Sequence, residues 1–279
     1  MRTAHHAPSW ASLGSGLLLG LALWLAGVAP AWAHDTWVQP LQLRPVLHQP
    51  LQLQLSSGHG LQALVAPKQR RQRSLRLSTV SGLVQRAWGW RRQRARAVTH
   101  MGPLEPGLVC VQLACAARLI EIEPEGVERY LDEVQPSAEL RALWSAQRAR
   151  GEPWRERYAK EAKAYVRAAG SAGAASTWRP LRALGQRLEL LPLRDPTRLR
   201  PRTQLPLELR LDGRPLAAVA LRCHDRKGER VLHTDAHGRV RLPLRSRGRQ
   251  LVATTVLQAP LAPGLPWRSR FATLAFQLP

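Results

Sequence analysis

The sequence predicts a mainly β protein built from two β modules with a helical segment between them. Short runs alternate apolar and polar residues, as in LQLQL at 51–55, which is the period of a half-buried strand. Pro, Gly and Ser separate these runs, as expected of turns. Between the two β regions, residues 123–169 place apolar side chains at helical spacing, with Leu140, Leu143 and Trp144 as an example.

The first 33 residues are typical of a secretory signal peptide. A basic start at Arg2 precedes the apolar run LLLGLALWLAGV at 17–28 and the small-residue pattern AWA at 31–33. This order of charged, apolar and small residues is that of a cleaved leader. The apolar run is shorter than the roughly 20 residues of a membrane-spanning helix. We therefore expect export to the periplasm and a mature chain that begins at His34.

The first β module is expected at 34–122. After the alternating run at 51–55, further strand signals occur at 74–80 (SLRLSTV), 107–113 (GLVCVQL) and 118–122 (RLIEI). Turn residues separate these segments, so the module is predicted to be an antiparallel β domain.

The three cysteines are Cys110, Cys115 and Cys223. If the strand that carries Cys110 and Cys115 stays extended, five residues separate them by roughly 16 Å. That distance exceeds the reach of a disulfide, so a bridge between them needs a tight chain reversal. The spacing matches no zinc motif, and we expect all three cysteines to be structural.

The segment 123–169 is predicted to be helical in three parts. Pro124 marks the start of the first helix, and Ser137 is a suitable N-cap for the second. Gly151-Glu152-Pro153 separates the second helix from the third. Within the third, Glu156 and Lys160 are i,i+4 neighbours, as are Glu161 and Tyr165.

The second β module is expected at 185–279, after the small-residue linker GSAGAAST at 170–177. Asp212-Gly213 lies between two apolar runs, which is a strong signal for a β-hairpin. A second turn is predicted at Asp235–Gly238. The module is therefore interpreted as a β-sandwich.

The formal net charge is +23, and +22 remains without the Arg2 segment. A strongly basic chain suggests a nucleic-acid partner. The predicted export and the lack of a helix-turn-helix, zinc-finger or RNA-binding aromatic motif argue against that class. The densest basic region, at 68–97, is instead expected to be a solvated face near anionic envelope lipids or lipopolysaccharide.

The order of several motifs resembles that of a known bacterial family. The motifs are AHDTWVQP (33–40), SSGHG (56–60), EPGLVCVQL (105–113), VERYLDEV (127–134), RGEPWRERYAKEAKAYV (150–166), GQRLELLPLRDPTRL (185–199), LRLDGRPLAAVALRC (209–223) and TDAHGRVRLPLRSRGRQLV (234–252). Their content and order resemble a family of domains of unknown function that is described as the periplasmic, NikM-like component of nickel or cobalt transport. The resemblance covers essentially the whole mature chain.

This resemblance implies an exported protein with Ig-like or transthyretin-like β-sandwich modules. The C-terminal module looks like the carboxypeptidase-regulatory type of sandwich. The implied role is metal uptake, with an envelope metal transporter as the partner and Ni²⁺ or Co²⁺ as the bound ion.

A metal site is predicted at the mature N-terminus. Cleavage after residue 33 gives His34 a free α-amine, and this nitrogen and the imidazole Nδ1 can chelate one cation. Imidazole suits Ni, Co, Cu and Zn, with Cu²⁺ less favoured here than Ni²⁺ or Co²⁺. His59 lies in a motif shared with the family and is the first candidate for a further ligand. Asp35 is predicted either as a carboxylate ligand or as a group that orients a ligand ring.

The other histidines carry weaker signals. His233 and His237 flank a predicted turn and are interpreted as a solvated pair. His224 lies nearby in the second module, whereas His48 and His100 stand alone and are expected at the surface or the edge of the core.

The sequence contains no nucleophile elbow, no H-E-x-x-H helix and no phosphate loop. Cys223 and His224 are neighbours on a predicted strand, where they point to opposite faces and cannot form a nucleophile–base pair. We therefore expect a protein without catalytic activity.

Two hypotheses follow. In the first, the protein binds a metal through His34 and passes the ion to a transporter. In the second, it is a β-sandwich adaptor that binds an envelope protein or a polyanionic surface without metal. The second hypothesis predicts indifference to His34 and dependence on arginines such as Arg91 and Arg92, with binding that weakens as salt rises.

Overall fold

A computed structural model describes residues 34–42, 45–79, 82–168 and 184–279. The predicted signal peptide and the linker at 170–177 lie outside the described residues. Residues 33–279 group into one compact unit.

The described residues before the helices form nine strands: β1 (Asp35–Pro40), β2 (Leu51–His59), β3 (Gln62–Val65), β4 (Gln72–Thr79), β5 (Val84–Arg86), β6 (Trp88–Arg92), β7 (Arg96–Met101), β8 (Gly107–Cys115) and β9 (Arg118–Ile122). Two helices follow, α1 (Pro124–Val134) and α2 (Ala138–Ala149). Nine strands complete the chain: β10 (Trp154–Ala168), β11 (Leu188–Pro192), β12 (Gln204–Leu211), β13 (Arg214–Pro215), β14 (Ala220–Asp225), β15 (Gly228–His233), β16 (Arg239–Pro243), β17 (Gly248–Gln258) and β18 (Trp267–Leu278).

These elements confirm that the protein is mainly β. The alternating run at 51–55 lies in β2, and the predicted strand at 118–122 is β9. The Asp212-Gly213 hairpin is confirmed, because β12 pairs antiparallel with β13 and both turn residues have positive φ. The turn at Asp235–Gly238 is closed by a 2.9 Å hydrogen bond from the amide of Gly238 to the carbonyl of Asp235.

The first two helices are also as predicted. The Ser137 hydroxyl caps α2 by accepting from the amide of Leu140, and a proline stands at the start of α1, where its missing N–H costs no hydrogen bond. Neither described helix has the length and apolar character needed to cross a membrane.

The third predicted helix is wrong, because residues 154–168 form strand β10. Intrahelical pairs such as Glu156 with Lys160 contribute only about 0.2–0.5 kcal/mol each. As a strand, the segment pairs with β18 along one edge and with β9 and β8 along the other. Its first residues alternate in burial, with Trp154 and Glu156 buried and Arg155 and Arg157 exposed. Backbone pairing on both edges and the burial of Trp154 outweigh the helical propensity.

The strands of the two predicted modules share one central sheet of nine strands, in the order β15-β14-β17-β18-β10-β8-β4-β5, with β9 also paired to β10. A second sheet contains β1, β2, β3, β6 and β7, and a third contains β11, β12, β13 and β16. Among the described strands, all pairs are antiparallel except β10 with β18, which run parallel. Strands β11 to β17 intervene between these two in sequence.

Three apolar clusters hold these layers together. One lies between the β1–β2 sheet and the central sheet and includes Trp37 and Leu53. A second lies between the central and the third sheet and includes Leu207. The third packs the two helices on the end of the central sheet around Trp154 and Trp267, whose rings stack with centroids 4.4 Å apart. The central sheet therefore carries packed layers on both faces.

Candidate functional site

The register between β1 and β2 brings the two predicted histidines together. Asp35 pairs with Gly58 in this antiparallel ladder, so His34, one residue before β1, lies beside His59, the last residue of β2. The backbone carbonyl of His34 accepts a hydrogen bond from Lys160 on β10. This contact fixes the chain at the point where the mature protein is predicted to begin.

The rings of His34 and His59 meet edge to face, with centroids 4.8 Å apart and planes at 87°. Nδ1 of His34 is 3.2 Å from Nε2 of His59. Two nitrogens at this distance can share only one proton, so one of them must carry a lone pair. The Nδ1 atom that faces His59 is also the imidazole nitrogen nearest to the backbone of its own residue.

A buried charge network lies behind the two rings. The guanidinium of Arg222, on β14, donates to both carboxylate oxygens of Asp35 at 2.9 Å. It also contacts the carboxylate of Glu133, near the end of α1, at 3.1 Å. Asp35 is 1% exposed and Arg222 is 8% exposed. Both oxygens of Asp35 thus accept hydrogen bonds from Arg222.

Glu133 joins this network to the histidine pair. Its Oε1 lies 3.8 Å from Nδ1 of His59, on the side of the ring opposite to His34. Histidines that bind metals commonly direct their second ring nitrogen at a carboxylate, which fixes the tautomer and the ring orientation. Glu133 faces Nδ1 of His59 in this manner, and Arg222 in turn links Glu133 to Asp35.

His224 is a further member of the site that the sequence interpretation missed. It lies on β14 two residues after Arg222, so both side chains share one face of the strand. Its Nδ1 is 3.3 Å from the carboxylate of Glu229 on the paired strand β15. Its Nε2 is buried and has no hydrogen-bond partner among the described residues. This nitrogen is therefore free of other described groups and could contact a bound ligand.

The glycine after His59 makes room for His224. Gly60 has a φ of +55°, and a Cβ at this position would lie 2.8 Å from Nδ1 of His224. Only glycine satisfies both the left-handed backbone and the close ring. The sequence SSGHG therefore contained the required glycine, but it could not show that His224 packs against this residue.

Burial lowers the pKa values of His34 and His224. For His34, burial lowers the pKa most, and His59 and Lys160 lower it further against the opposing effect of Asp35. For His224, burial lowers the pKa, and the carboxylate of Glu229 opposes this. Burial raises the pKa of Glu133, although Arg222 acts in the opposite direction. The environment thus favours neutral imidazoles, which is the form that binds metals.

These shifts predict a pH dependence of stability. Because the folded-state pKa of His224 is lowered, the unfolded chain takes up the proton first as the pH falls. The stabilisation is complete above the ordinary histidine pKa and is lost as the pH falls through the lowered value. In metal-free buffer, we expect the urea midpoint to fall between about pH 7.5 and about pH 5.5, and to fall less in His224→Gln.

The matched control for this pH prediction is His237→Gln, which changes an exposed histidine in the turn at 235–238. It should leave the pH dependence as in the wild type. An equal fall in all three proteins would show that other groups cause it.

The remaining predicted residues lie elsewhere. His233 and His237 are exposed, as predicted, whereas His100 is half-buried and stacks on Trp88. The cysteines, all within the described residues, form no disulfide. Burial raises the pKa of Cys110 to about 12, of Cys115 to about 11 and of Cys223 to about 12. Burial thus favours the protonated thiols.

Within the described ranges, no group of three His, Cys, Asp or Glu side chains is already arranged to hold a metal ion. What the described residues bring together is a pair of imidazole nitrogens, 3.2 Å apart.

Comparison with known proteins gives one match. A family model with the description "Domain of unknown function (DUF4198)" matches residues 31–258. No curated protein matches the chain.

Proposed function

The chain belongs to the family Domain of unknown function (DUF4198), whose description assigns no function. We therefore propose a function from the histidine site of the chain itself. The protein is an exported, non-catalytic metal-binding accessory of nickel or cobalt uptake, with Cu²⁺ as the less favoured ion. The observation that carries this proposal is the 3.2 Å distance between Nδ1 of His34 and Nε2 of His59.

This distance fits two nitrogens on one ion. With metal–nitrogen bonds of about 2.0–2.1 Å and tetrahedral angles, two ligand nitrogens lie roughly 3.4 Å apart. Right angles, as in square-planar or octahedral geometry, bring them to about 2.9 Å. The observed separation lies between these values. The neutral imidazoles favoured by burial of His34 also suit an ion that competes with protons.

Two further nitrogen atoms could bind the same metal ion. Cleavage after residue 33 supplies the α-amine of His34, which closes a chelate ring with Nδ1 of the same residue. His224 supplies Nε2, which is buried without a partner among the described residues. Glu229 holds the opposite edge of the His224 ring, as Glu133 does for His59. Imidazole and amine nitrogens form a donor set that suits Ni²⁺, Co²⁺ and Cu²⁺.

The position of the site suits loading and release. The side chain of His59 is 36% exposed, so an ion reaches it from solvent without unfolding. The buried network of Asp35, Arg222 and Glu133 lies behind the rings and fixes their geometry. The proposal accordingly places the receiving envelope transporter on the open side of the His34–His59 pair. The Ig-like or transthyretin-like nature of the two β modules belongs to the same proposal.

The test is a calorimetric titration of Ni²⁺, Co²⁺ and Cu²⁺ into protein whose chain begins at His34. Two variants run beside it: the same protein with Ala33 retained, which blocks the α-amine, and His59→Gln. Loss of a group that only orients a ligand weakens metal binding by about 10–100-fold. Each of these variants removes a ligand, so we expect each to weaken binding by at least that factor.

His237→Gln is the control for this titration, because it removes an exposed histidine outside the site. Its affinity should equal that of the wild type. Unchanged affinity in both the extended protein and His59→Gln would overturn the proposal, and so would the absence of binding in the wild type.

A further inference from the structure

A second concave feature lies on the other face of the central sheet. It is a cavity of about 640 Å³ whose lining includes six arginines, Arg73, Arg76, Arg157, Arg187, Arg268 and Arg270. Successive residues of a strand point to opposite faces. Lys160, which contacts His34, therefore lies on one face of β10, and Arg157, Ala159 and Glu161 lie on the other. The cavity is thus separate from the histidine site.

The strand register builds the floor of this cavity. Arg157 on β10 pairs with Arg268 on β18, and Arg268 pairs with Gln258 on β17. In the adjacent same-face row, Ala159 pairs with Arg270. The small side chains of Ala114, Ala117 and Ala159 line the space between the arginines. The cavity is open because these positions carry no large side chain, while the guanidinium groups surround it.

The arginine charges are largely uncompensated. Among the described residues, only Arg187 of the six forms an ion pair, with Asp212. The single acidic residue of the lining, Glu161, accepts hydrogen bonds from the backbone amides of Arg187 and Leu188 at 3.1 and 2.7 Å. Its carboxylate thus accepts hydrogen bonds from the backbone, and its single charge is shared between Arg187 and Arg270.

Two observations indicate that a bound anion would stabilise the guanidinium groups. Nε of Arg268 is buried and has no hydrogen-bond partner among the described residues. Burial lowers the pKa of Arg270, and the neighbouring charges of Arg187 and Arg268 lower it further, against Glu161 and Asp212. Like charges held together in a half-buried cavity repel one another, and a bound anion removes that repulsion.

We propose that this cavity binds a small molecule that carries two or more phosphoryl groups, either free in solution or as the headgroup of a lipid. The planar fork of arginine matches the oxygens of phosphate in a bidentate geometry. Several forks around one concavity favour a ligand with several such groups over a single anion. The volume lies within the usual range of about 300–1,000 Å³ for small-molecule pockets.

The test is a calorimetric titration of inorganic tripolyphosphate into the full mature chain in metal-free buffer at about 0.15 M salt, where exposed charges are screened. The test variant is Arg268→Gln/Arg270→Gln. The matched control is Arg91→Gln/Arg92→Gln, which removes the same charge from exposed positions on β6. We expect the test variant to weaken binding at least about tenfold and the control to weaken it less than about threefold.

A second variant, Arg268→Lys/Arg270→Lys, keeps the charge but removes the fork, and we expect an intermediate loss. An unchanged urea midpoint shows that the variants are folded, so this test does not depend on the metal binding of the proposed function. Equal weakening of tripolyphosphate binding in the test and control variants would show that the net charge of the protein, and not the cavity, causes the binding. That result would overturn the proposal. So would a wild type that binds neither tripolyphosphate nor the cardiolipin vesicles described below.

The source of the phosphoryl groups is distinguished in parallel arms. Vesicles of phosphatidylcholine with cardiolipin, which carries two phosphates, test the lipid source, and tripolyphosphate tests the soluble one. Vesicle binding that depends on Arg268 and Arg270 assigns a lipid headgroup. Tripolyphosphate binding without vesicle binding assigns a soluble ligand.

Discussion

Replacing Arg222 by methionine is expected to lower the free energy of unfolding by about 3–5 kcal/mol. The substitution leaves the carboxylate of Asp35, which is 1% exposed, buried without its guanidinium partner. Glu133 loses its 3.1 Å contact with the same group. A buried charge left without a partner costs far more than the net stability of the pair. Urea unfolding at neutral pH measures the loss.

The matched control is Arg187→Met. Arg187 also forms a two-pronged ion pair, with Asp212, but the two side chains are 61% and 50% exposed. We expect a loss of less than about 1 kcal/mol there, because water solvates the freed carboxylate. Equal losses in both variants would show that burial does not govern the Arg222 network.

The double variant Asp35→Asn/Arg222→Met separates the charge from the packing. If the uncompensated carboxylate causes the loss, removal of both charges should cost less than the sum of the two single changes. Metal affinity gives a second readout. Since Arg222 holds Glu133 against His59, Arg222→Met should weaken binding of Ni²⁺ by about 10–100-fold.

Trp154→Ala is the second change with a large expected effect, about 3–5 kcal/mol of unfolding free energy. The Trp154 side chain is fully buried, stacks on Trp267 and meets Trp144 edge to face with centroids 5.2 Å apart. Its Nε1 also donates to the buried carboxylate of Glu156 at 2.9 Å. The substitution therefore opens a cavity and removes a donor from a buried acid.

Trp88→Ala is the control for this change. Trp88 also stacks on a ring, that of His100, with centroids 4.9 Å apart, but it is 52% exposed. We expect a loss of about 1 kcal/mol or less, measured by the same urea unfolding. A loss at Trp154 no larger than that at Trp88 would contradict the role assigned to the tryptophan cluster.

Local sequence signals predicted the local elements well. The period-two pattern at 51–55 and the Asp-Gly turn at 212–213 act through neighbouring residues alone, and both features are present in the fold. The N-cap at Ser137 and the first two helices follow from the same kind of signal. These features depend on contacts within a few positions, which a sequence displays directly.

The histidine pair was also accessible from the sequence. His34 is distinguished by its position after the predicted cleavage site, and His59 by its motif. The structure brings their nitrogens to 3.2 Å. The contact of Asp35 with Arg222 was not predicted, because the two residues lie 187 positions apart in the chain.

The sequence by itself thus determined the β class, the first two helices, the turns at 212–213 and 235–238 and the two histidines of the candidate site. Only the tertiary structure decided that residues 154–168 form a central strand, since backbone pairing with β8, β9 and β18 outweighs the helical signal of that segment. It also decided that His224 joins the site and that Arg157 lies beside Arg268. These contacts join segments far apart in sequence, and strand register, which local patterns do not specify across such distances, sets them.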